Sequence, residues 1–309
     1  MQTGSSRFAR HYPAKPVRIV DPFGAGGGPD LLARALAPKL SELWGQPVTV
    51  ENHPGAGATT GPALVAKSPA DGYTLLINTS AQAYSAALSK NLPYDPLKDF
   101  IPVASLTNQP YVLVAGKTAG IKTVRELIAA AKSKPGELKF GSTGLGTGTH
   151  LGIVKFNFEA GIEVVDVLPQ PTDAIVDVLA ATIDGRITYM IAPISITLTP
   201  ISDGRLFPLG VTTARRAILL PKVPTIAEAG VAGFDFPIWY GIWAPAGTPT
   251  GVINKLSRDI ARVLAGSDVR DWIVKHGGEP MNMTQPEFAR FVQSESEVAA
   301  RFNKADVRP

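Results

Sequence analysis

The sequence predicts an α/β fold in two lobes that face each other across a cleft, each lobe built on a mostly parallel, doubly wound sheet. Three observations carry this reading. The stretch from Val17 to Leu36 reads as strand, glycine-rich turn and helix start. Lys139 to His150 repeats that arrangement more than a hundred residues later, with hydroxyls added. Elsewhere, short apolar runs alternate with helical patterns, which is the signature of βα units and a parallel sheet.

The first stretch sets the frame. Val17 to Val20 is a β-branched run suited to a strand. Gly24 to Gly28 forms the turn, and Pro29 fits a first helical turn, where its missing N–H costs nothing. Leu31, Leu32, Ala35 and Leu36 recur at helical spacing, and Asp30 suits the positive end of the helix dipole. Glycines admit a ligand close to the backbone, and free N–H groups at a helix start attract anions. The turn lacks the Gly-Lys-Ser/Thr of a Walker loop, and Gly24-Ala-Gly26-Gly-Gly-Pro29 lacks the last glycine of a dinucleotide fingerprint. Glu51, at the end of the run Val48–Val50, stands near where a ribose ligand would lie. Nucleotide binding and a bare structural turn therefore both stay open at this point.

Composition narrows the classes. A chain of 309 residues with 45% apolar content supports one large or two medium domains. Charged residues make up 18%, and the net charge of +4 comes from scattered Lys and Arg, so no nucleic-acid surface is indicated. No run reaches the roughly 18 apolar residues of a membrane helix. Cys is absent, which excludes disulfides, thiolate nucleophiles and cysteine metal sites and suits an exported protein. Residues 1–11 are polar and basic without an apolar core, so they read as a flexible arm, not a signal peptide.

Along the chain, a helix over Leu31–Leu43 leads to a strand over Val48–Glu51, a second glycine turn at Asn52–Gly57, and a helix from Ala63 to Lys67. Tyr73–Ile77 reads as a buried strand, and Asn78–Gln82 as a polar loop at its C-terminal end, where open α/β sheets place ligands. Strands follow at Val103–Leu106 and Tyr111–Ala115, then a helix over Val124–Lys132 with Thr123 as N-cap. The second lobe continues with a helix over Thr172–Ala181 and strands at Ile187–Ile191 and Leu209–Thr213. Pro221–Gly230 reads as a short helix between breakers, Trp239–Pro245 as an aromatic strand, and helices over Gly251–Leu264, Ser267–His276 and Gln285–Ala300 close the chain. The chain is expected to cross between lobes near Val103–Ala115 and Leu209–Thr213. That gives one lobe of 12–106 plus 214–309 and another of 107–213.

No constellation of nucleophile, base and oxyanion donors appears. His11, His53, His150 and His276 lack metal-ligand spacing, and Gly141-Ser-Thr-Gly144 matches a nucleophile elbow only in composition. Asp21 and Asp30 are candidate paired carboxylates, with Asp30 better explained as a helix-end residue.

The motifs together resemble the Bug-type periplasmic solute-binding receptors of tripartite tricarboxylate transporters. The resemblance runs from Tyr12 through Pro22-Phe-x-Ala-Gly-Gly-Gly-x-Asp30, Gly45-Gln-Pro-Val-x-Val-Glu-Asn-x-Pro-Gly-Ala-Gly57 and Ala70–Leu76. It continues through Leu92–Phe100, Gly141–Thr147 with His150-Leu151, Val223–Gly230 and Ala244–Pro249. It implies a two-lobed fold of the type II periplasmic binding kind that closes on a small carboxylate held by backbone N–H groups and hydroxyls instead of an arginine clamp. It carries ligand contact to Phe23, Gly24, Ala25 and Asp30, to Thr79 and Ser80, and to Ser142, Thr143, Thr147 and His150. The sequence departs from the family at Val167–Pro171 and at Ile187–Ala192, where amino-acid-binding relatives end the strand in an Asp that holds the ammonium. Gln170 and Ala192 are therefore added as residues that set ligand identity. An uncharged body with one or two carboxylates, an aliphatic dicarboxylate or an aromatic acid, is expected.

The leading reading is thus a non-enzymatic, monomeric, periplasmic carrier that hands its carboxylate to the membrane subunits of a tripartite tricarboxylate-type transporter. No cofactor, metal, nucleic acid or membrane insertion is expected. The alternatives are an α/β enzyme acting on a carboxylate or nucleotide, and a sensor subunit that presents ligand to a kinase.

Overall fold

The computed structural model describes residues 12–88, 91–144, 146–167 and 174–305. The expected arm, Gln170 and the altered turn at Pro169–Pro171 lie outside them. The first half of the chain contains β1 (Val17–Asp21), α1 (Gly28–Trp44), β2 (Val48–Asn52), α2 (Thr60–Ala66), β3 (Thr74–Thr79), α3 (Ala81–Leu88) and β4 (Phe100–Gln109). Then come β5 (Tyr111–Gly116), α4 (Val124–Ser133), β6 (Lys139–Gly141), α5 (Gly148–Ala160), β7 (Val165–Val167), α6 (Ile175–Ile183), β8 (Tyr189–Pro193), α7 (Ile194–Ser202) and β9 (Leu206–Val211). The chain ends with β10 (Ile238–Pro245), α8 (Thr250–Ala265), α9 (Ser267–Lys275), β11 (Glu279–Pro280) and α10 (Gln285–Ala305).

Two sheets result, ordered β11-β4-β10-β3-β1-β2 and β7-β6-β8-β5-β9. The parallel pattern holds where βα units follow one another: β1 lies parallel to β2 and β3, and β6 parallel to β7 and β8. It gives way where the chain crosses between lobes. β10 runs antiparallel to β3 and β4, and β5 antiparallel to β8 and β9. Most strands of each sheet still run one way, β1 to β4 in the first and β6 to β9 in the second, while β10 and β5, each arriving from the other lobe, enter reversed.

Only Pro110 separates β4 in the first sheet from β5 in the second. The return path leaves β9 at Val211 and re-enters the first sheet at Ile238. The two paths are stitched together: Tyr111 N–H donates to Thr212 Oγ1 at 3.0 Å, Thr212 N–H to the Tyr111 carbonyl at 2.9 Å, and Phe236 N–H to the Thr212 carbonyl at 2.7 Å.

Strand alternation divides the second sheet's packing. Tyr111, Leu113, Tyr189 and Ile191 belong to the core shared with α4 and α5, whereas Val112, Val114, Met190 and Ala192 belong to the core under α6 and α7. Helices thus cover both faces. In the first sheet, Trp239 and Trp243 of β10 pack on Phe288 of α10, with ring centroids 5.8 and 5.5 Å apart.

Pro221–Gly230 is not a helix. Its backbone instead ties to β9 through Ile226 N–H on the Val211 carbonyl and a Val211–Thr225 bridge. The helical signal there is the Thr225/Glu228 reciprocal pair, Glu228 N–H on Thr225 Oγ1 and Thr225 N–H on Glu228 Oε2. That pair caps a turn which Pro221, Pro224 and Gly230 prevent from propagating.

Candidate functional site

The first glycine turn is held from beneath by carboxylates. Gly26 adopts φ +85°, a conformation that favours glycine, and its N–H donates to Asp30 Oδ2 at 2.9 Å. Asp30 Oδ1 accepts from Arg34 Nε at 2.9 Å and from Asn52 Nδ2 at 3.0 Å. Asn52 also donates to the Phe23 carbonyl at 3.1 Å, and Arg34 donates to Asn52 Oδ1 at 2.9 Å. Asp30 is buried, so its oxygens are committed to shaping the turn. Asp21, fully buried, accepts the Phe23 N–H at 2.9 Å. Burial pushes the Asp21 carboxyl well above its ordinary value, against the lowering effect of that N–H.

The second glycine turn is held by hydroxyls. Thr147 caps α5, accepting the His150 N–H at 3.4 Å and donating to the Gly144 carbonyl at 2.7 Å. Thr143 and Thr149 share a hydrogen bond of 2.8 Å, and Thr149 Oγ1 also accepts the Thr143 N–H at 3.1 Å. Ser142 Oγ accepts the Gly144 N–H at 3.3 Å, and His150 Nδ1 accepts the Gly146 N–H at 3.3 Å.

These two turns and the β3–α3 junction meet at one cavity of ≈ 30 Å³ between the sheets. It is lined by Phe23, Gly27, Gly28 and Pro29 from the first turn, Thr79 from β3, and Thr143, Gly148 and Thr149 from the second turn. Tyr111, Ile175, Pro193 and Ile238 complete it. Among the described residues five helices begin at or beside this wall: α1 at Gly28, α3 at Ala81, α5 at Gly148, α6 at Ile175 and α7 at Ile194. The first N–H groups of a helix lack intrahelical partners and carry partial positive charge, so the wall is electropositive. Among the described residues it contains no charged side chain. The lobes touch around it: a Cβ on Gly148 would stand 3.4 Å from Ile238 and 3.5 Å from Ser80 Oγ, and one on Gly26 would stand 3.4 Å from Val176. Ser80 Oγ is buried without a hydrogen-bond partner of ordinary geometry, with the Tyr84 hydroxyl as a looser polar neighbour.

Of the residues singled out from sequence, Phe23, Thr79 and Thr143 line the cavity. Gly24, Ser80, Ser142, Thr147 and His150 are buried beside it, and Ala25 is exposed. Ala192 does not face it. Its side chain packs in the core under α6 and α7, and by strand alternation the next residue, Pro193, reaches the cavity. Sequence reasoning assigned no ligand contact to Tyr111, Thr149, Ile175, Pro193 and Ile238, nor to Gly27, Gly28, Pro29 and Gly148 of the two turns. It also missed Tyr240 behind the wall, whose hydroxyl bonds that of Tyr111 at 2.8 Å.

Comparison with known proteins gives this geometry a context. Residues 32–305 match the family described as tripartite tricarboxylate transporter family receptor. The chain is 34% identical over 288 residues to the protein BugT of Bordetella pertussis, covering 92% of this chain and 87% of that one. It superposes with a TM-score of 0.88 on the structure of R. palustris Rpa4515 with adipate, at 33% identity over 95% of this chain and 98% of the other. It superposes equally, at 0.88, on MatC (Rpa3494) from Rhodopseudomonas palustris with bound malate, at 30% identity over 94% and 99%. Two lobes meeting at an electropositive wall of helix starts, with a match over most of the chain, place this protein in the tripartite tricarboxylate transporter receptor family.

Proposed function

We propose that this chain is an extracytoplasmic solute-binding protein that captures a small carboxylate in the cleft and delivers it, unchanged, to a tripartite tricarboxylate-type membrane transporter. The observation that carries this reading is the convergence, among the described residues, of five helix starts on a cavity without charged side chains, which suits an anion held by N–H groups and hydroxyls. The adipate and malate bound by its relatives support the ligand class. In this reading Thr79, the hydrogen-bonded Thr143–Thr149 pair and the N–H groups of Gly28 and Gly148 hold the carboxylate, and Ser80 adds a donor. The ligand body carries no ammonium, because no carboxylate side chain lines the described wall to pair with one.

A cavity of ≈ 30 Å³ is too small for a dicarboxylate, so admission requires the lobes to part about Pro110 and the 212–237 return path. In this reading the receptor works as a monomer in the periplasm. The test is a thermal-shift screen over mono-, di- and aromatic carboxylates, followed by recovery of the bound acid. A raised melting temperature with at least one acid, recovered unchanged, is the expected result. Chemical conversion of that acid, or no shift with any, overturns the proposal.

A further inference from the structure

Tyr111, the first residue of β5 after the crossing at Pro110, lines the cavity. Its hydroxyl lies 2.8 Å from that of Tyr240 on β10 in the other sheet, and the Tyr240 hydroxyl donates to Gln109 Oε1 at 3.1 Å. All three side chains are buried. Tyr111 belongs to the wall, and the Tyr240 hydroxyl backs it, packed against Gly28, another lining residue.

A phenol carries one proton and accepts through its oxygen lone pairs. Tyr240 directs its proton to Gln109, so the bond between the two tyrosines uses the proton of Tyr111. The Tyr111 oxygen then has only lone pairs left to offer. Burial, the largest influence on each, raises both phenols, so both stay neutral at physiological pH. A carboxylate oxygen is also acceptor-only, and two acceptors in contact repel. The threonines and helix starts supply donors around the rest of the wall, so Tyr111 is the point at which the cavity asks the ligand for a donor.

We infer that Tyr111 is a specificity-determining residue that accepts a hydrogen bond from a ligand hydroxyl, so that the site takes hydroxycarboxylates in preference to the same acids lacking the hydroxyl. The inference rests on the carboxylate-binding reading above. An ammonium is also a donor, but a neutral phenol and threonines leave its charge unpaired. A site built around a ligand hydroxyl discriminates strongly against the analogue without it, because its own polar group is then left unpaired.

The test is calorimetric titration of the full chain with matched pairs of different length: malate against succinate, and 2- and 3-hydroxyadipate against adipate. At least one hydroxy acid is expected to bind about tenfold or more tighter than its partner. Tyr111→Phe should bring that ratio close to one, weakening the hydroxy acid relative to the plain acid. Tyr240→Phe frees the Tyr111 proton, so the plain acid should tighten. Melting curves of both variants report their folding. Equal or tighter binding of every plain acid overturns the inference while leaving the carboxylate reading in place. A Tyr111→Phe variant that weakens both members of a pair equally does the same, since it would mean that Tyr111 donates to the carboxylate. Binding of no carboxylate in the series overturns both.

Discussion

Gly28 and Tyr240 meet so closely that a Cβ on residue 28 would stand 2.2 Å from the Tyr240 hydroxyl oxygen. The N-terminus of α1 can approach the wall only because residue 28 has no side chain. Ala is a better helix former than Gly by about 1 kcal/mol, yet overpacking costs about 1–3 kcal/mol, and here the obstacle is a hydroxyl bonded on both sides. Gly28→Ala should therefore lower thermal stability, and Gly28→Ala with Tyr240→Phe should recover part of the loss. Melting curves of the two variants check this; a single variant as stable as the parent would show that the ring moves freely.

Asp30 answers three donors from within the glycine turn. Removing one partner from a buried charged network costs about 3–5 kcal/mol, because the others are left unpaired. Asp30→Ala should lose stability on that scale in denaturant unfolding, and Asp30→Asn, which keeps an acceptor oxygen, should lose less. Equal losses would assign the effect to packing.

Asp21 gives a pH signature. Burial raises its carboxyl well above the ordinary value of about 3.8. The native state then binds a proton that the unfolded chain releases, so the contribution of Asp21 to stability is complete below about 3.8 and is lost as pH rises through the higher native value. Asp21→Asn removes this dependence. The stability of the variant relative to the parent should rise with pH across that window in urea titrations from pH 4 to 8. A constant difference would show that Asp21 ionises normally in the fold.

Thr147 and Thr143 separate folding from binding. Thr147 caps α5 and braces Gly144, so Thr147→Val should cost about 1 kcal/mol of stability. Thr143 lines the cavity, and a hydrogen bond to a charged group is worth about 1.5–3 kcal/mol, so Thr143→Val should weaken binding about tenfold or more. Unfolding and calorimetry on both variants give the comparison; unchanged affinity in Thr143→Val would remove that hydroxyl from the site.

The turns behind these predictions were legible because their signals are local. Glycines, Pro29 and the hydroxyls of 142–149 mark strand-to-helix turns on their own, and β1, α1, β6 and α5 fall where they point. Tyr111 and Tyr240 carry no such mark. Each sits in a fully buried strand, and what makes them functional is a contact across 129 residues that depends on long-range register. Position 192 misleads for a related reason. Every residue of β8 is buried, so the period-2 alternation that sends Ala192 to the core and Pro193 to the cavity leaves no polar trace in the sequence. The helical signal at 225–228 is genuine, but the bridge to β9 and the flanking breakers outweigh it.

In the proposed site helix starts and hydroxyls hold the anion, and no charged side chain among the described residues lines the wall. Parallel calorimetric titrations of the full chain with the best-binding carboxylate and with its neutral amide test that most directly. The acid should bind at least about a hundredfold tighter, on the scale of two charge-assisted hydrogen bonds. Equal affinity for the amide would contradict it.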